Sequence, residues 1–526
     1  MGKYLLKRLL HGFFSIVIVV GIVMVLIFSL LDRYAIFVND NTYSHKSGNE
    51  KVLYEYQRWE EYGYLDYVNF NDYINELLRN GDIESEEVAS SIKSLGLTAK
   101  DDAEITKTYI DMFTEYYEDM GYKVERLAGK KTSAGLVLQN YRPNVIAYRD
   151  LNLFARLWDF FSGIIEIDSI NYVEDDIEDR GITFTFFDPL ADGKFSPAIM
   201  GNGTKHKYLL YFDSKFPYIH QNLISVHIGK SYSMYRGADL VETMMTNQGS
   251  PIVKEKTFIT GEVAETSMDL HTATYSPAKI NEENLRLFGD NYYNCKTAAG
   301  GLSMVGYSFT IGIIATILAY LLGVPLGILM AKRKDKLSDK IGTVYIVFIM
   351  AVPSLAYIFM FSTIGNTLFG LPTNFGLAVP GKELLIYILP IISLALPSVA
   401  GIMKWLRRYM IDQMSSDYVK FARSGGLSEG EIFTKHILKN AAIPIVHGIP
   451  GSILGCITGA IITEKVYAVP GTGKLLTESI NKHDNGVIVG LTMFYASLSV
   501  ISMILGDIMM ALVDPRISFA TSGGKR

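Results

Sequence analysis

Six apolar runs leave this chain few ways to fold: residues near 9–31, 304–331, 341–365, 384–406, 443–463 and 487–512, each long enough to cross a bilayer. A span needs about 20 apolar residues, because a helix rises about 1.5 Å per residue and the hydrocarbon core is about 30 Å thick. Inside that core every backbone N–H and C=O must be bonded within the chain, so runs of this length read as helices. One run opens the chain, five lie in 304–512, and residues 32–300 between them read like a soluble domain. The expected fold class is an α-helical polytopic membrane protein of six transmembrane helices with an inserted α+β domain. With 49% hydrophobic residues and a mean hydropathy of +0.19, the chain is too apolar for an ordinary soluble protein and too charged for a bare membrane bundle.

Lys and Arg set the orientation, since basic residues stay on the cytosolic side. Lys3, Lys7 and Arg8 precede the first run. Lys332, Arg333, Lys334, Lys336 and Lys340 outnumber Asp335 and Asp339 in the next short loop. Lys404, Arg407, Arg408, Lys420, Arg423, Lys435 and Lys439 outnumber Asp412, Asp417, Glu429 and Glu431 in the loop after the fourth run. Arg516, Lys525 and Arg526 outweigh Asp514 in the tail. These alternate with neutral segments at 366–383 and 464–486, so six spans with both termini cytosolic satisfy every loop. Residues 32–300 then lie outside the plasma membrane, with 27 basic and 42 acidic residues, an asymmetry the overall charge of −5 conceals. The expected division is 1–31 for the N-terminus and first span, 32–300 for the extracellular domain, and 301–526 for the remaining spans with a cytosolic loop at 407–442. The first run is too long for a signal-peptide core, and LLDRYAIF follows it without a small-residue cleavage site, so it reads as a retained anchor. Cys295 and Cys456, one outside and one within the fifth run, offer no disulfide framework or cysteine metal site.

In the outer region, residues 50–125 carry apolar and aromatic residues at helical spacing, punctuated by Gly81, Gly96 and Gly121. GITFTFF at 181–187, KYLLYF at 207–212 and LISVHIG at 223–229 read as strands. Of the 33 tyrosines, 23 fall in 32–300; they suit either an aromatic core or a docking surface for another extracellular protein.

Several suggestive features carry no chemistry. PGTGKL at 470–475 lacks the spacing of a nucleotide loop: Ala468 stands where the first Gly would be, and Leu475 follows Lys474. Asn202-Gly203-Thr204 is a glycosylation sequon only in a eukaryotic secretory pathway. The nine histidines show no metal spacing, and His206 and His220 read as surface or packing residues. Nothing points to nucleic acid.

Pro325, Pro353, Pro390 and Pro397 fall in or beside the spans, where each frees backbone groups and permits a bend. Small residues such as those of GIPGSILGCITGA at 448–460 suit close helix packing, with bending helices the functional alternative. Asp507 stands inside the sixth run. An acid at mid-bilayer costs about 2.5–3.5 kcal/mol on insertion scales, so it requires protein, water or the interface beside it. A structural hydrogen bond or a place on a polar pathway would each supply that.

Asp417 to Pro444, DYVKFARSGGLSEGEIFTKHILKNAAIP, is polar, mildly basic and periodically apolar at Val419, Ala422, Ile432, Ile437 and Leu438. It reads as two short helices about a turn at Gly425-Gly426, with Ser428 capping the second and Glu431 completing a capping box. Facing water, its apolar positions need a partner, either lipid headgroups or a docked protein.

This stretch resembles the EAA loop of ABC importer membrane subunits, in the version of the oligopeptide and dipeptide permeases of the OppB/DppB type. The matching residues are Asp417, Tyr418, Ala422, Arg423, Gly426, Leu427, Ser428, His436, Leu438, Asn440, Ala441 and Pro444, with Gly425 in place of the usual Lys. LLGVPLGILMAKRKDKLSD at 321–339, Glu464, Val469-Pro470-Gly471, Gly473, Asp484, Asp507 and Asp514-Pro515-Arg516-Ile517 resemble further stretches of the family, covering about 304–517 plus the first span. LWDFFSGIIEID at 157–168 and GKSYSMYRGADLVETM at 229–244 resemble pieces of its shorter outer loop. The long tyrosine-rich region, including GTKHKYLLYF at 203–212, is similar to the AmiC-type form of Gram-positive peptide permeases.

The resemblance implies a type I ABC importer permease fold. It implies a second homologous permease subunit, two cytosolic ATPases that use ATP and Mg, a lipid-anchored extracellular binding protein, and peptides as cargo. The ATPase-coupling positions would be Asp417, Tyr418, Ala422, Arg423, Gly426, Leu427, Ser428, His436 and Asn440; Pro353, Glu464, Pro470, Gly471, Gly473 and Asp507 are candidate structural or pathway residues. This chain has no nucleotide loop and would bind no cofactor itself. A membrane receptor with a ligand-binding ectodomain is the alternative, weakened by the lack of a cytosolic signalling domain. A membrane-embedded enzyme is weakened by the lack of paired polar residues at catalytic spacing.

Overall fold

The computed structural model describes residues 2–174, 177–191, 194–213, 218–276, 282–377 and 383–513. The C-terminal Asp514-Pro515-Arg516-Ile517, the tail residues Lys525 and Arg526, and the side chain of Cys456 lie outside the described residues.

Five apolar helices long enough to cross a membrane are present among these residues: Gly2–Leu30, Met304–Lys332, Leu385–Met414, Ile449–Tyr467 and Asn485–Val513. The third expected span, near 341–365, is not one helix. It forms two, Leu337–Ala351 and Ser354–Phe369, which meet at 112°. Pro353 supplies the reason: it lacks a donor, and its ring drives Val352 out of the helical region to an extended ψ of 130°. Pro325, Pro390 and Pro397 are by contrast accommodated within helices.

The second and fourth spans pack closest, and small residues permit it. A Cβ on Gly323 would come 2.9 Å from Ile402 Cβ, and one on Gly327 would come 3.3 Å from Met403 Cα. Around this contact Ala319, Val399, Ala400 and Met403 are fully buried. Without a hydrophobic drive between helices in lipid, such close backbone approach supplies the dispersion contacts that hold a bundle together.

Residues 32–300 form an α+β region. A three-stranded antiparallel sheet, in the order Leu65–Asn69, Asn144–Asp150, Lys123–Leu127, carries helices Phe70–Asn80, Glu86–Lys93 and Glu104–Asp119. Phe70, Ile74, Ile92, Phe113 and Ala147 are each at most 1% exposed between these layers. Burying each large side chain contributes about 1.5–3 kcal/mol. The reading of 50–125 as helical thus misses two strands, Leu65–Asn69 and Lys123–Leu127. Both are short strands entered from glycine turns, Gly63 and Gly121, whose φ values are +70° and +81°, and their β partner lies at 144–150, beyond any local pattern. A second, four-stranded antiparallel sheet follows: Gly181–Thr185, Ala198–Asn202, Tyr208–Phe212 and Ile219–Gln221. The expected strands at 181–187 and 207–212 are present; that at 223–229 shortens to Ile224–Val226, paired with Ile165–Ile167. Many tyrosines are core residues, among them Tyr54, Tyr64, Tyr67, Tyr208 and Tyr292. His206 meets Asp168 at 3.1 Å and His220 stacks on Tyr211, both packing roles.

The inserted region sits on the bundle through Ile228, Leu240 and Met244, which pack on Met304, Leu475, Val487 and Leu491. There the backbone of 228–230 meets the last span directly: a Cβ on Gly490 would come 2.3 Å from Ile228 O, and one on Gly486 would come 2.2 Å from Lys230 O.

Candidate functional site

The loop after the fourth span folds as its residues direct. Asp417–Ser424 is a helix, with Asp417 paired to Lys420 at 2.9 Å. Gly425 caps it, and Gly426 turns the chain at φ +81°, a left-handed conformation that a side chain with a Cβ resists. Leu427 N–H returns to Ala422 O at 3.3 Å. Ser428 then starts the second helix: its Oγ accepts from Glu431 N–H at 3.3 Å and donates to Glu431 Oε2 at 3.1 Å. Arg423 braces the two helices, donating from Nε and Nη2 to Glu429 at 2.5 and 3.1 Å. The guanidinium of Arg423 holds the Glu429 carboxyl below the usual carboxylate range. Tyr418 donates to Gln413 at 2.6 Å and to the carbonyl of His436 at 3.4 Å. Ile432–Leu438 winds as a π-helix, and Lys439–His447 continues into the fifth span. The His436 and Asn440 side chains are half-buried on this run.

The buried face of this loop has a partner within the chain. Val419, Ala422, Ile432 and Ile437 pack with Ala331, Leu406, Met410 and Ala441, the ends of the second and fourth spans and the run into the fifth. The expectation that these positions await lipid or another protein is therefore corrected: they fix the loop to its own bundle. The outward face is Phe421, 80% exposed, with Leu427 at 40% and Tyr418 at 37%. Phe421 was legible only as one more aromatic in an amphipathic stretch.

Beside the loop lies a cavity of about 510 Å³. The second span contributes Thr316 and Tyr320, the fourth Ser393, Ser398, Gly401 and Trp405, and the fifth Ser452, Gly455 and Thr463. Ser354 and Tyr357, just after the break at Pro353, face it, as do Pro444 and Ile445 from the run leaving the loop. Among the described residues lining it none is charged. Its walls offer hydroxyls, aromatic faces and aliphatic surface, the composition of a site that takes a ligand by shape and hydrogen bonding rather than by ion pairing. Gly401 and Gly455 have open space where a Cβ would stand. Gly455 in the small-residue stretch 448–460 thus leaves room for the cavity, while Ser452 also meets Tyr320 OH of the second span at 3.1 Å.

None of the other candidate residues lines this cavity. Pro353 caps the second half of the broken span. Glu464, 1% exposed, accepts from Ser308 Oγ at 2.7 Å, Gly473 N–H at 2.9 Å and Lys474 N–H at 3.1 Å. It thereby caps the helix Thr472–Asn481, its Oε2 taking the first-turn N–H groups of Gly473 and Lys474. Pro470 and Gly471 make the turn before it; a Cβ on Gly471 would stand 2.3 Å from Glu464 Oε2. Asp507 accepts from Tyr4 OH at 2.8 Å and pairs with Arg8 at 3.1 Å, tying the last span to the first. Of its two readings, the structural hydrogen bond is the one the geometry shows. Asp339, counted only as loop charge, takes a bidentate contact from Arg407 at 2.5 and 2.7 Å.

Over its whole length the chain is 34% identical to the oligopeptide transport system permease protein AmiC of Streptococcus pneumoniae, and covers 100% of that protein as well. The chain belongs to the oligopeptide permease family of ABC importers. Within this permease, residues 323–519 match the model of the binding-protein-dependent transport system inner membrane component. That range holds every candidate residue from Pro353 to Asp507. The dipeptide transport system permease protein DppB of Bacillus subtilis is 31% identical over 216 residues, 41% of this chain and 69% of that protein. DppB of Lactococcus lactis is 34% identical over 210 residues, 40% of this chain and 68% of that protein. A permease of this family is a multi-pass transport subunit without an ATPase site of its own, not an enzyme.

Proposed function

We propose that this permease forms half of the translocation pathway of an ATP-driven oligopeptide importer, a second homologous permease supplying the other half. One observation carries the reading: the loop that presents Phe421 is fixed on the second and fourth spans and runs directly into Pro444 and Ile445, which line the cavity. A push on the loop has a packed route to the cavity wall. Two cytosolic ATPases grip one loop each and use ATP and Mg; this chain contributes no nucleotide site. In this reading both termini are cytosolic, residues 32–300 are extracellular, and a lipid-anchored binding protein delivers peptides to the outer mouth. The uncharged, hydroxyl-rich wall suits peptides, whose backbone offers the same hydrogen bonds whatever the side chains.

Gly426→Val tests the coupling. A branched side chain at a left-handed φ costs about 1–3 kcal/mol, enough to misplace the turn without unfolding the bundle. The complex is expected to assemble with both ATPases and the second permease, yet lose peptide uptake and substrate-stimulated ATP hydrolysis. Normal uptake at normal expression overturns the proposal. Phe421→Asp, which leaves the buried face intact, is expected to release the ATPases in co-purification.

A further inference from the structure

Helix Leu153–Ser162 and the strand pair that follows it turn their apolar side chains outward. Phe154 and Trp158, one turn apart on one face, are 85% and 74% exposed. Directly after Gly163, Ile165–Ile167 pairs antiparallel with Ile224–Val226, in register Ile165↔Val226 and Ile167↔Ile224. These four aliphatic residues share one face and are 46–66% exposed. The opposite face holds the polar groups: Glu166 accepts from Lys205 Nζ at 2.9 Å and meets His227 Nε2 at 2.8 Å. The helix presents Phe154 and Trp158 outward, while Leu157, Phe160 and Phe161 face the first and last spans. Arg156 turns inward, donating to Tyr64 O at 2.7 Å with its guanidinium over the Phe28 ring. A two-stranded ribbon with its ion pairs inward and its aliphatics outward is inverted for water.

The depth of this element says what covers it. The first and last spans run antiparallel: Tyr4 bonds Asp507, and Gly12 abuts Val500. Continuing that register places Asn485, the polar start of the last span, level with about residue 27 of the first. Leu157 packs beside the first span, 4.0 Å from where a Cβ on Gly21 would stand, and Phe160 and Phe161 pack with it on Val20, Met24 and Val489. Gly21 is six residues further in, about 9 Å below that polar boundary at 1.5 Å per residue. If the bilayer begins at that polar start, this depth is that of the headgroup–acyl border, into which amphipathic helices sink their apolar face by about 5–10 Å and where Trp concentrates.

We propose that helix 153–162 and the ribbon 165–167/224–226 form a shelf inserted in the membrane leaflet on the side that carries the inserted domain. Phe154, Trp158, Ile165, Ile167, Ile224 and Val226 lie in lipid. The shelf gives the inserted domain a grip on the bilayer in addition to its seat on the spans, and fixes its tilt over the cavity.

Photocrosslinking with benzoylphenylalanine at position 154, 158 or 165, in the assembled complex in its native membrane, tests this. All three positions are exposed, so the substitution leaves packing untouched. Mass spectrometry is expected to find phospholipid adducts at each, well above those at Leu136, an exposed loop residue between strands Lys123–Leu127 and Asn144–Asp150. Adducts to a second polypeptide instead of phospholipid, or lipid adducts no more frequent than at position 136, overturn the proposal; the first outcome makes the shelf a subunit interface.

Discussion

Asp484 and Ser231, 253 residues apart in the chain, meet in a 2.7 Å hydrogen bond that latches the inserted domain to the start of the last span. Asp484 is fully buried there and also accepts from the backbone N–H groups of Ser233 and Met234 at 3.2 and 3.3 Å. Ser231 Oγ in turn accepts from Tyr235 N–H at 2.9 Å, so one carboxylate orders a whole turn.

Asp484→Ala leaves three donors without their acceptor; the Ser231 hydroxyl is fully buried, and leaving it unpaired costs about 1–3 kcal/mol, while the partly exposed Ser233 and Met234 N–H groups lose less. Amide hydrogen exchange across 229–235 is expected to quicken by at least about tenfold, since 1.4 kcal/mol is a factor of ten. Exchange in the spans should not change. Protection of 229–235 equal to that of the unmutated chain would show that the apolar contacts of Ile228 and Leu240 suffice.

The glycines beside Glu464 are required by its carboxylate. A Cβ on Gly473 would come 2.7 Å from Ile461 Cα, a backbone atom that cannot swing aside. Gly473→Ala is therefore expected to push the helix 472–481 off the fifth span, lower the melting temperature of the purified complex and reduce uptake. Glu464→Gln retains the size but turns an acceptor into a partial donor facing two N–H groups. It is expected to destabilise by about 1–3 kcal/mol. A melting temperature unchanged in both variants falsifies this account of the turn.

Local patterns made the spans and the loop legible. Run length marked five of the six expected spans as single helices; Gly425-Gly426 and Ser428 marked the turn and the cap, because these features are decided within four residues of themselves. What stayed hidden depends on partners far along the chain. Asp507 was visibly anomalous, but its partner Tyr4 lies 503 residues away. The cavity draws its wall from segments between Thr316 and Thr463, each contributing a Ser, Gly or Tyr that is unremarkable alone. Pro353 announced a bend but not one of 112°, which the packing of both halves sets. Val419 and Ile432 showed apolar periodicity, and periodicity does not say whether the covering surface belongs to the same chain.

Two buried carboxylates make the inserted domain sensitive to acid. Desolvation acts to raise Asp168 and Asp188, and their bonds outweigh it. His206 and the backbone N–H groups of Lys205 and His206 hold Asp168 below the usual carboxylate range. His271, Leu190 N–H and Tyr208 OH do the same for Asp188. Because these folded-state values are depressed, the stability they contribute is fully present above the unfolded value, about 4 for a carboxylate, and is lost as pH falls through the folded one. The charged and titratable neighbours are those histidines, Lys205, Tyr208, Tyr211 and Tyr292, and the tyrosines stay neutral throughout this range. The protection factors at 208–212 and 268–275, taken against the intrinsic exchange rate at each pH, are expected in the full chain in nanodiscs to hold steady from pH 7 to about 5 and to fall below about 4. The Asp168→Asn/Asp188→Asn variant should be less protected at pH 7, because neutral amides replace charge-assisted bonds, and should lose less on acidification. An acid profile as steep as that of the unmutated chain would assign the transition to other carboxylates.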